Sequence, residues 1–381
     1  MRKVSRRMKV AVDRFLYSHQ PAWLSKSFTL KKLNEIEEFV KYARDSVDNS
    51  FIAKYLKITC RDRIDEAMTL LQLKGREIVE FNLELCHTDD AMILNRHLIQ
   101  ALKLIPNVES LCLKWESRRP RWVLNENIDW ERMEGQPDTS LPPLSALTKL
   151  IITIDGEDGL SPEGFMRHVV QAYGAQLTFF SCSTNCIGID LEIGLQTCNL
   201  MSNLRHLELI GCFEEMDVDE SLPLSLLSQV KWPNLESLRL DGSERDYGCY
   251  CTEITFVTLN FFRSSLQELK LVCNDGFDLI EELFDDTFIH EFPKMKSLVL
   301  IYRELRCCVW VWLVFRLQFT NLEHLCFLSE RNTRALPIPN ATERRAMFAR
   351  FPRLKTLTWM NQRNNTFKKT VFTRPLSLGQ I

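Results

Sequence analysis

A short apolar motif recurs along this chain at a nearly constant interval. The motif is apolar-x-x-apolar-x-apolar, and its clearest copies begin at Leu204, Leu235, Leu266, Met295, Leu322 and Leu354, with others at Val108 and Leu147. With weaker copies, the middle apolar residues fall at 56, 81, 111, 150, 177, 207, 238, 269, 298, 325 and 357, and nine of the ten gaps lie between 25 and 32 residues. Because 45% of the residues are hydrophobic, the motif alone would recur by chance. The regular interval is what indicates a repeat architecture.

Each repeat combines a strand pattern with a helix pattern. The second half of the motif alternates with the period of a half-buried strand. Segments between copies place apolar residues three and four apart, which predicts helices: Asp90–Ile105, Gly164–Tyr173, Leu279–His290 and Thr342–Arg350. One strand and one helix cannot bury their apolar faces alone, whereas stacked neighbours can. We therefore expect an α/β solenoid, curved as a horseshoe, with a parallel sheet on the concave face and helices on the convex face.

These repeats resemble the leucine-rich repeat family over about residues 50–360, and in length they are closest to its ribonuclease-inhibitor-like and F-box types. They depart from the family at two points. The Asn or Cys that normally follows the second leucine occurs as Cys212 and is mostly absent elsewhere, and one longer gap carries an insertion at residues 115–143. Such an insertion is either a partner-binding flap at the rim of the solenoid or a solvated loop.

The N-terminal segment carries a second resemblance. Phe15–Tyr17, Phe28–Leu30, an amphipathic helix pattern at Leu30–Ala43, and Ala53–Ile58 are similar to the segment just after the F-box in fungal F-box/leucine-rich-repeat proteins, where a strand and a helix cap the solenoid. The residues before it lack the Leu-Pro-rich opening of an F-box. We expect a cap-like region at 1–50 (a possible F-box remnant), a solenoid at 51–360, and a C-terminal tail at 361–381 that is frayed or a poor cap.

Composition bears on partners and compartment. The 48 basic and 50 acidic residues nearly cancel, so no global field favours nucleic acid or an anionic membrane. The longest apolar run, Cys307–Phe315, is too short to span a bilayer. The basic N-terminus lacks the apolar core of a secretory signal. An odd number of cysteines, 13, without ordered spacing, is typical of reduced thiols, so we expect a cytoplasmic or nuclear protein.

No motif predicts catalysis or a cofactor. The glycine-rich phosphate loops and the GxSxG elbow are absent from the sequence, and His290-Glu291 lacks the second His of a metalloprotease helix. Cys182-x3-Cys186 supplies half of a zinc site, which His206 and Cys212 would have to complete. We expect no catalytic residue, no metal and no cofactor. The alternative is a thiol- or metal-dependent enzyme or a zinc-binding protein.

The concave face is the predicted binding surface. Its middle is charged and its C-terminal third is apolar, and exposed apolar patches mark binding sites. The predicted contacts are His206, Glu208, Arg239, Asp241, Glu268, Lys270, Val272, Val299, Ile301, His324, Leu328 and Met360. Either this surface binds a protein partner, with charges setting register and apolar groups giving affinity, or the next loops or the tail fold over it and bury it. The favoured interpretation is a non-enzymatic protein-interaction scaffold. The resemblance implies substrate recognition for a cullin-RING ubiquitin ligase, with a Skp-type adaptor if an F-box lies upstream.

Overall fold

The structure is a computed structural model. The residues that it describes are 27–30, 55–60, 64–86, 91–117, 141–156, 169–184, 200–210, 232, 234–241, 262–273, 291–302, 318–329, 338–363 and 366–374. The chain divides into two compact units, Met1–Gln176 and Leu177–Ile381. The predicted helices at Leu30–Ala43 and Leu279–His290, and most of the insertion at 115–143, lie outside the described residues.

The first unit alternates strands with helices. The strands among its described residues, each parallel to the next in chain order, are β1 (Ser27–Leu30), β2 (Tyr55–Cys60), β3 (Glu80–Cys86), β4 (Ser110–Ser117) and β5 (Lys149–Gly156). Helix α1 (Ile64–Lys74) connects β2 to β3 through a 3₁₀ turn, and α2 (Ala91–Leu104) connects β3 to β4. Residues 169–173 are helical after β5, followed by the 3₁₀ turn Gly174–Gln176.

The second unit continues the parallel pattern. Its parallel strands are β6 (Phe179–Thr184), β7 (His206–Ile210), β8 (Ser237–Asp241), β9 (Glu268–Cys273), β10 (Ser297–Tyr302), β11 (His324–Ser329) and β12 (Thr356–Arg363). The register aligns one leucine from each of six strands, none more than 3% exposed: Leu207, Leu238, Leu269, Leu298, Leu325 and Leu357. The predicted α/β repeat solenoid with a parallel sheet is therefore confirmed within each unit.

Helix α3 (Ala341–Arg350) lies between β11 and β12 and begins at a capping box. The Asn340 Oδ1 atom accepts hydrogen bonds from the backbone N–H groups of Thr342 and Glu343 at 2.9 and 3.0 Å, and the Glu343 carboxylate accepts one from the Asn340 N–H at 2.8 Å. This exchange satisfies N–H groups that the first helical turn would leave unpaired. It starts the helix one residue before the predicted Thr342.

A repeated backbone contact joins neighbouring repeats just before each strand. The N–H groups of Glu236 and Ser237 both donate to the Arg205 carbonyl, at 2.8 and 2.9 Å. The same two-to-one contact recurs one repeat later at the Glu236 carbonyl, and it continues as far as the Glu323 carbonyl. In two repeats the Asn just before the first apolar residue of the motif adds a side-chain contact, since Asn107 Nδ2 donates to the Arg76 carbonyl of the preceding repeat at 2.8 Å. Asn321 makes the equivalent contact with Pro293.

A row of aromatic side chains fills the turns ahead of the strands in the second unit. Its members are Trp232, Phe262, Phe292, Phe319 and Phe351, and none is more than 4% exposed. Ring centroids lie 5.2 Å apart for Trp232 and Phe262, 5.4 Å for Phe292 and Phe319, and 6.1 Å for Phe319 and Phe351. Ring pairs at these separations are attractive beyond the area that they bury. We call this set the aromatic row.

The predicted position of the sixth strand is wrong by three residues. The sequence expectation centred a repeat on Leu177, whereas β6 aligns Phe180 with Leu207 and Cys182 with Leu209. Leu177, Phe180 and Cys182 are all fully buried. Phe and Cys therefore occupy the two inward positions that Leu207 and Leu209 fill on β7, and Leu177 corresponds to the first leucine of the motif. Measured from Phe180, the gaps to residues 150 and 207 are 30 and 27 residues.

The expectation of a frayed or poorly capped tail is also wrong over residues 366–374. A last strand, β13 (Thr366–Thr373), runs antiparallel to β12. Beyond it, Arg374 Nη2 donates to the backbone carbonyls of Phe348 and Phe351 at 2.5 and 2.7 Å, and Nε donates to the Leu354 carbonyl at 3.2 Å. These carbonyls lie at and after the C-terminal end of α3, where helices leave acceptors unpaired. The guanidinium group thus ties the end of β13 to the C-terminal end of α3.

We expect Phe319→Ala to destabilise the protein by about 3–5 kcal/mol. The substitution removes the ring of the aromatic row that lies between Phe292 and Phe351, and it leaves a cavity. Phe319→Leu should lose less, since most of the volume is kept. Chemical denaturation followed by circular dichroism would measure both, with exposed Thr320→Ala as the control. A loss of less than about 1 kcal/mol for Phe319→Ala would show that the row does not hold the repeats together.

A second test concerns close backbone approach in the first unit. A Cβ at Gly75 would lie 2.1 Å from the carbonyl oxygen of Leu104, the last residue of α2. Since the clash is with backbone, Gly75→Ala should destabilise by about 1–3 kcal/mol or more. Leu73→Ala, at a side chain 41% exposed, is the control for thermal unfolding. Equal melting temperatures for the two variants would contradict this packing.

Candidate functional site

The open face of the second unit consists of the strand residues that alternate with the buried leucines on β7 to β12. The register arranges them in three lateral rows. The first row is His206, Ser237, Glu268, Ser297, His324 and Thr356; the second is Glu208, Arg239, Lys270, Val299, Cys326 and Thr358; the third holds Ile210, Asp241, Val272, Ile301, Leu328 and Met360. All twelve residues predicted as partner contacts occupy these rows. For Asp241 and Val272 the structure describes the backbone alone.

The charged part of the open face lies on β7 to β9. The half-buried Glu208 carboxylate accepts a hydrogen bond from the Ser181 hydroxyl at 3.2 Å, and Ser181 is only 5% exposed. The ring of His206 lies 6.0 Å from that of Phe179, measured between centroids. Phe179 and Ser181 were missed from the sequence because the strand was centred on Leu177. Arg239 is the register neighbour of Glu208 on β8, so opposite charges lie side by side.

The apolar part of the open face lies on β10 to β12. Val299, Leu328 and Met360 are half-buried, so each keeps some surface for a partner. Ile301 differs, because it is only 3% exposed. Its register neighbours lie on β9 and β11. Side chains on neighbouring strands pack against each other across the sheet, which reduces the exposure of a branched side chain. Ile301 therefore offers almost no surface of its own to a partner, and its role as a contact stays a prediction.

A ladder of polar pairs borders the first row, one position before each strand. Arg205 Nη1 lies 3.4 Å from Glu236 Oε1, Lys296 Nζ donates to Gln267 Oε1 at 2.9 Å, and Lys355 Nζ donates to Glu323 Oε2 at 2.6 Å. The hydrogen bond from Lys355 lowers the pKa of Glu323. Exposed pairs of this kind contribute little to stability. Their consequence here is that Arg205 and Lys355 each have an acidic partner in the neighbouring repeat, whereas Lys296 has the neutral amide of Gln267.

The two histidines of the first row are separated and have different neighbours. His206 lies on β7 and His324 on β11, and four strand spacings amount to roughly 19 Å. His324 Nδ1 lies 2.8 Å from Thr356 Oγ1, and Nε2 lies 3.9 Å from Glu323 Oε2. At that separation the two imidazoles cannot act on one substrate atom together. The His324 ring is held by the neighbouring repeat instead.

Strand β13 adds two residues to the open face that sequence reasoning missed. Lys369 is opposite Met360 and Val371 is opposite Thr358, and both side chains are exposed. Cys326 lies two strands from β9 on one side and two strands from β13 on the other. Burial raises the pKa of its thiol, while the positive charges of Lys369 and Lys270 act in the opposite direction. Both ammonium groups therefore lie close enough to Cys326 to lower the pKa of its thiol.

The predicted zinc half-site is not assembled in the part of the chain that the structure describes. Cys182 is fully buried on β6, and Cys186 and Cys212 lie outside the described residues. Among the described residues, no group of three or more His, Cys, Asp or Glu side chains could hold a metal ion. Within the same residues, no helix has both the length and the apolar character needed to cross a membrane.

The fold and its open face define an α/β repeat-solenoid protein with an accessible parallel sheet. No protein-family model matches the chain, and no curated protein matches it. Among solved structures, a chain of the yeast complex of Rad7 and Elc1 aligns over 87% of this chain and 86% of that chain, with 16% sequence identity and a TM-score of 0.39. A likeness at that TM-score carries no argument about this chain.

The reactivity of Cys326 tests the geometry of the open face without any partner. Because burial raises the pKa of the thiol and the two lysines oppose it, Lys270→Ala and Lys369→Ala should each slow alkylation near pH 8, severalfold, by leaving less thiolate. Iodoacetamide labelling of the Cys326 peptide, quantified by mass spectrometry, would measure the rates. Lys294→Ala, exposed in a turn outside the three rows, is the control. Unchanged rates in both lysine variants would place the ammonium groups away from Cys326.

Proposed function

We propose that this protein is a non-enzymatic scaffold that binds a protein partner on the open face of its second unit. The observation that carries the proposal is the set of three lateral rows, in which charged side chains on β7 to β9 adjoin half-buried apolar side chains on β10 to β12. Charges give register and steer association, and apolar groups give affinity when they are covered.

The dimensions of the open face favour a segment of a partner over a broad domain surface. Six strands at about 4.8 Å and three rows at about 6.8 Å cover roughly 24 by 14 Å. That is well below the surface of about 800 Å² that each partner buries in a standard interface. An extended segment, or a loop of the partner, fits such an area.

The proposed cellular role is narrower and rests on the N-terminal resemblance. The segments Phe28–Leu30 and Ala53–Ile58 are similar to those that follow the F-box in fungal F-box/leucine-rich-repeat proteins. We propose substrate recognition for a cullin-RING ubiquitin ligase, in the cytoplasm or nucleus, with a Skp-type adaptor bound through an F-box upstream. Co-purification of the adaptor with the full-length gene product tests this role. If no adaptor is recovered, the ligase role is abandoned and the scaffold remains.

The scaffold proposal includes no metal, no cofactor and no nucleic-acid partner. Elemental analysis of the purified protein tests the first point, and a stoichiometric content of zinc would contradict it. Binding to nucleic acid that weakens steeply with salt would contradict the last point.

Charge reversal at the open face tests the binding site. Binders are first selected from a displayed random-peptide library with the wild-type protein. Arg239→Glu combined with Lys270→Glu should weaken their binding roughly tenfold or more, because the charges that set register are inverted. The melting temperature should change little. Lys294→Glu with Arg353→Glu, an exposed Lys–Arg pair in turns outside the rows, is the matched control. The binding site would lie elsewhere if the Arg239 and Lys270 reversals left the affinity unchanged, or if the control reversals weakened binding equally.

A further inference from the structure

We propose that β9 to β13 form a docking strip for an extended protein segment whose apolar residues are bracketed by two acidic residues, one held by Lys270 and the other by Lys369. This inference rests on the proposed function, because it names the chemistry of the segment that the open face would bind. It depends on β13, whose formation the sequence did not predict.

The floor of the docking strip is continuous and uncharged. Across β10, β11 and β12, the first row offers Ser297, His324 and Thr356, and the second and third rows offer Val299, Cys326, Leu328, Thr358 and Met360. All of these except the exposed His324 are half-buried, and Ile301, in the third row beside them, is only 3% exposed. No carboxylate occurs among these floor residues. When a partner covers the apolar surface that is still exposed on these adjacent strands, the water in contact with it is released, which favours binding.

A lysine lies at each end of the floor. Lys270 is the register neighbour of Val299 on β9, and Lys369 is opposite Met360 on β13. Neither forms an ion pair within the part of the chain that the structure describes, and both influence the Cys326 thiol between them. An ammonium group that has no carboxylate partner in the protein can form a charge-assisted hydrogen bond with a carboxylate of the ligand. Glu268 lies on the same strand as Lys270 but one row away, so it does not separate Lys270 from the floor.

The strand spacing sets the distance between the two acidic residues. Lys270 and Lys369 are four strands apart, which is roughly 19 Å. A segment that crosses the strands in an extended form advances about 3.4 Å per residue. Because both ammonium groups influence the Cys326 thiol between them, acidic residues roughly four to six positions apart would reach both of them. The residues between them would then lie on Val299, Leu328 and Met360.

Two other occupants fit this surface less well. Single-stranded nucleic acid binds by stacking its bases on aromatic side chains, and the described floor residues include none apart from the exposed imidazole of His324 at the edge. The last residues of this chain, 375–381, contain no Asp or Glu, so they cannot supply the two anions. Charge complementarity thus points to an acidic-flanked segment of another protein.

The test uses the purified full chain and a pair of short fluorescent peptides. Both have a core of Leu and Val, bracketed by Glu residues five positions apart in one peptide and by Gln in the other. Fluorescence anisotropy should show about tenfold tighter binding of the Glu peptide. Lys270→Glu with Lys369→Glu should abolish that preference and favour a Lys-bracketed peptide. Bound Glu peptide should also slow alkylation of Cys326, which localises it to the docking strip.

The outcomes separate this inference from the proposed function. Lys294→Glu serves as the control and should leave the affinity for the Glu peptide unchanged. Equal affinity for the Glu and Gln peptides, no binding of either, or equal competition by an oligothymidylate would overturn the inference. If library binders still depend on Arg239 and Lys270 but lack paired acids, the inference fails and the proposed function stands. If no binder depends on the open face, the proposed function fails as well.

Discussion

A single repeat of this chain cannot bury its own leucines, and the rest of the structure depends on that constraint. Leu238 on β8 has its neighbours in Leu207 and Leu269 of the adjoining strands, and all three are at most 3% exposed. The apolar surface of each repeat leaves water only when the next repeat is in place. The backbone contacts before each strand fix where that neighbour must lie. Stability in each unit is therefore a property of adjacent pairs of repeats.

The same register that buries the leucines composes the open face. Since side chains alternate along a strand, a shift of one residue would exchange the two faces. Each leucine that is held inward therefore places its neighbours, such as Arg239 beside Leu238, outward and in line with those of the next strand. The aromatic row and the Asn contacts add further ties at the turns. The positions of the side chains on the open face are therefore set by the packing of the core.

The sequence predicted the fold well where leucine fills the inward positions, and less well elsewhere. From residue 207 to 357 the predicted strand centres coincide with the buried leucines of β7 to β12. At β6, Phe180 and Cys182 take those positions, and the motif was matched three residues too early. All twelve predicted contact residues occupy the rows of the open face, but Ile301 is buried there. Burial of Ile301 could not be foreseen, because alternation predicts the direction of a side chain and not what covers it.

The end of the chain shows why a local pattern was insufficient for β13. Its sequence, Thr366–Thr373, contains two lysines and no leucine, so it lacks the repeat motif. An antiparallel strand at the edge of a sheet needs one apolar face at most. On β13 the ring of Phe372 supplies that apolar face, and the guanidinium group of Arg344 on α3 covers it at 4.5 Å from the ring centroid. Lys369 then lies opposite Met360 on the other face. The strand that ends the stack of repeats thus also brings a positive charge to the docking strip, so closure of the solenoid and the chemistry of its open face are linked through one segment.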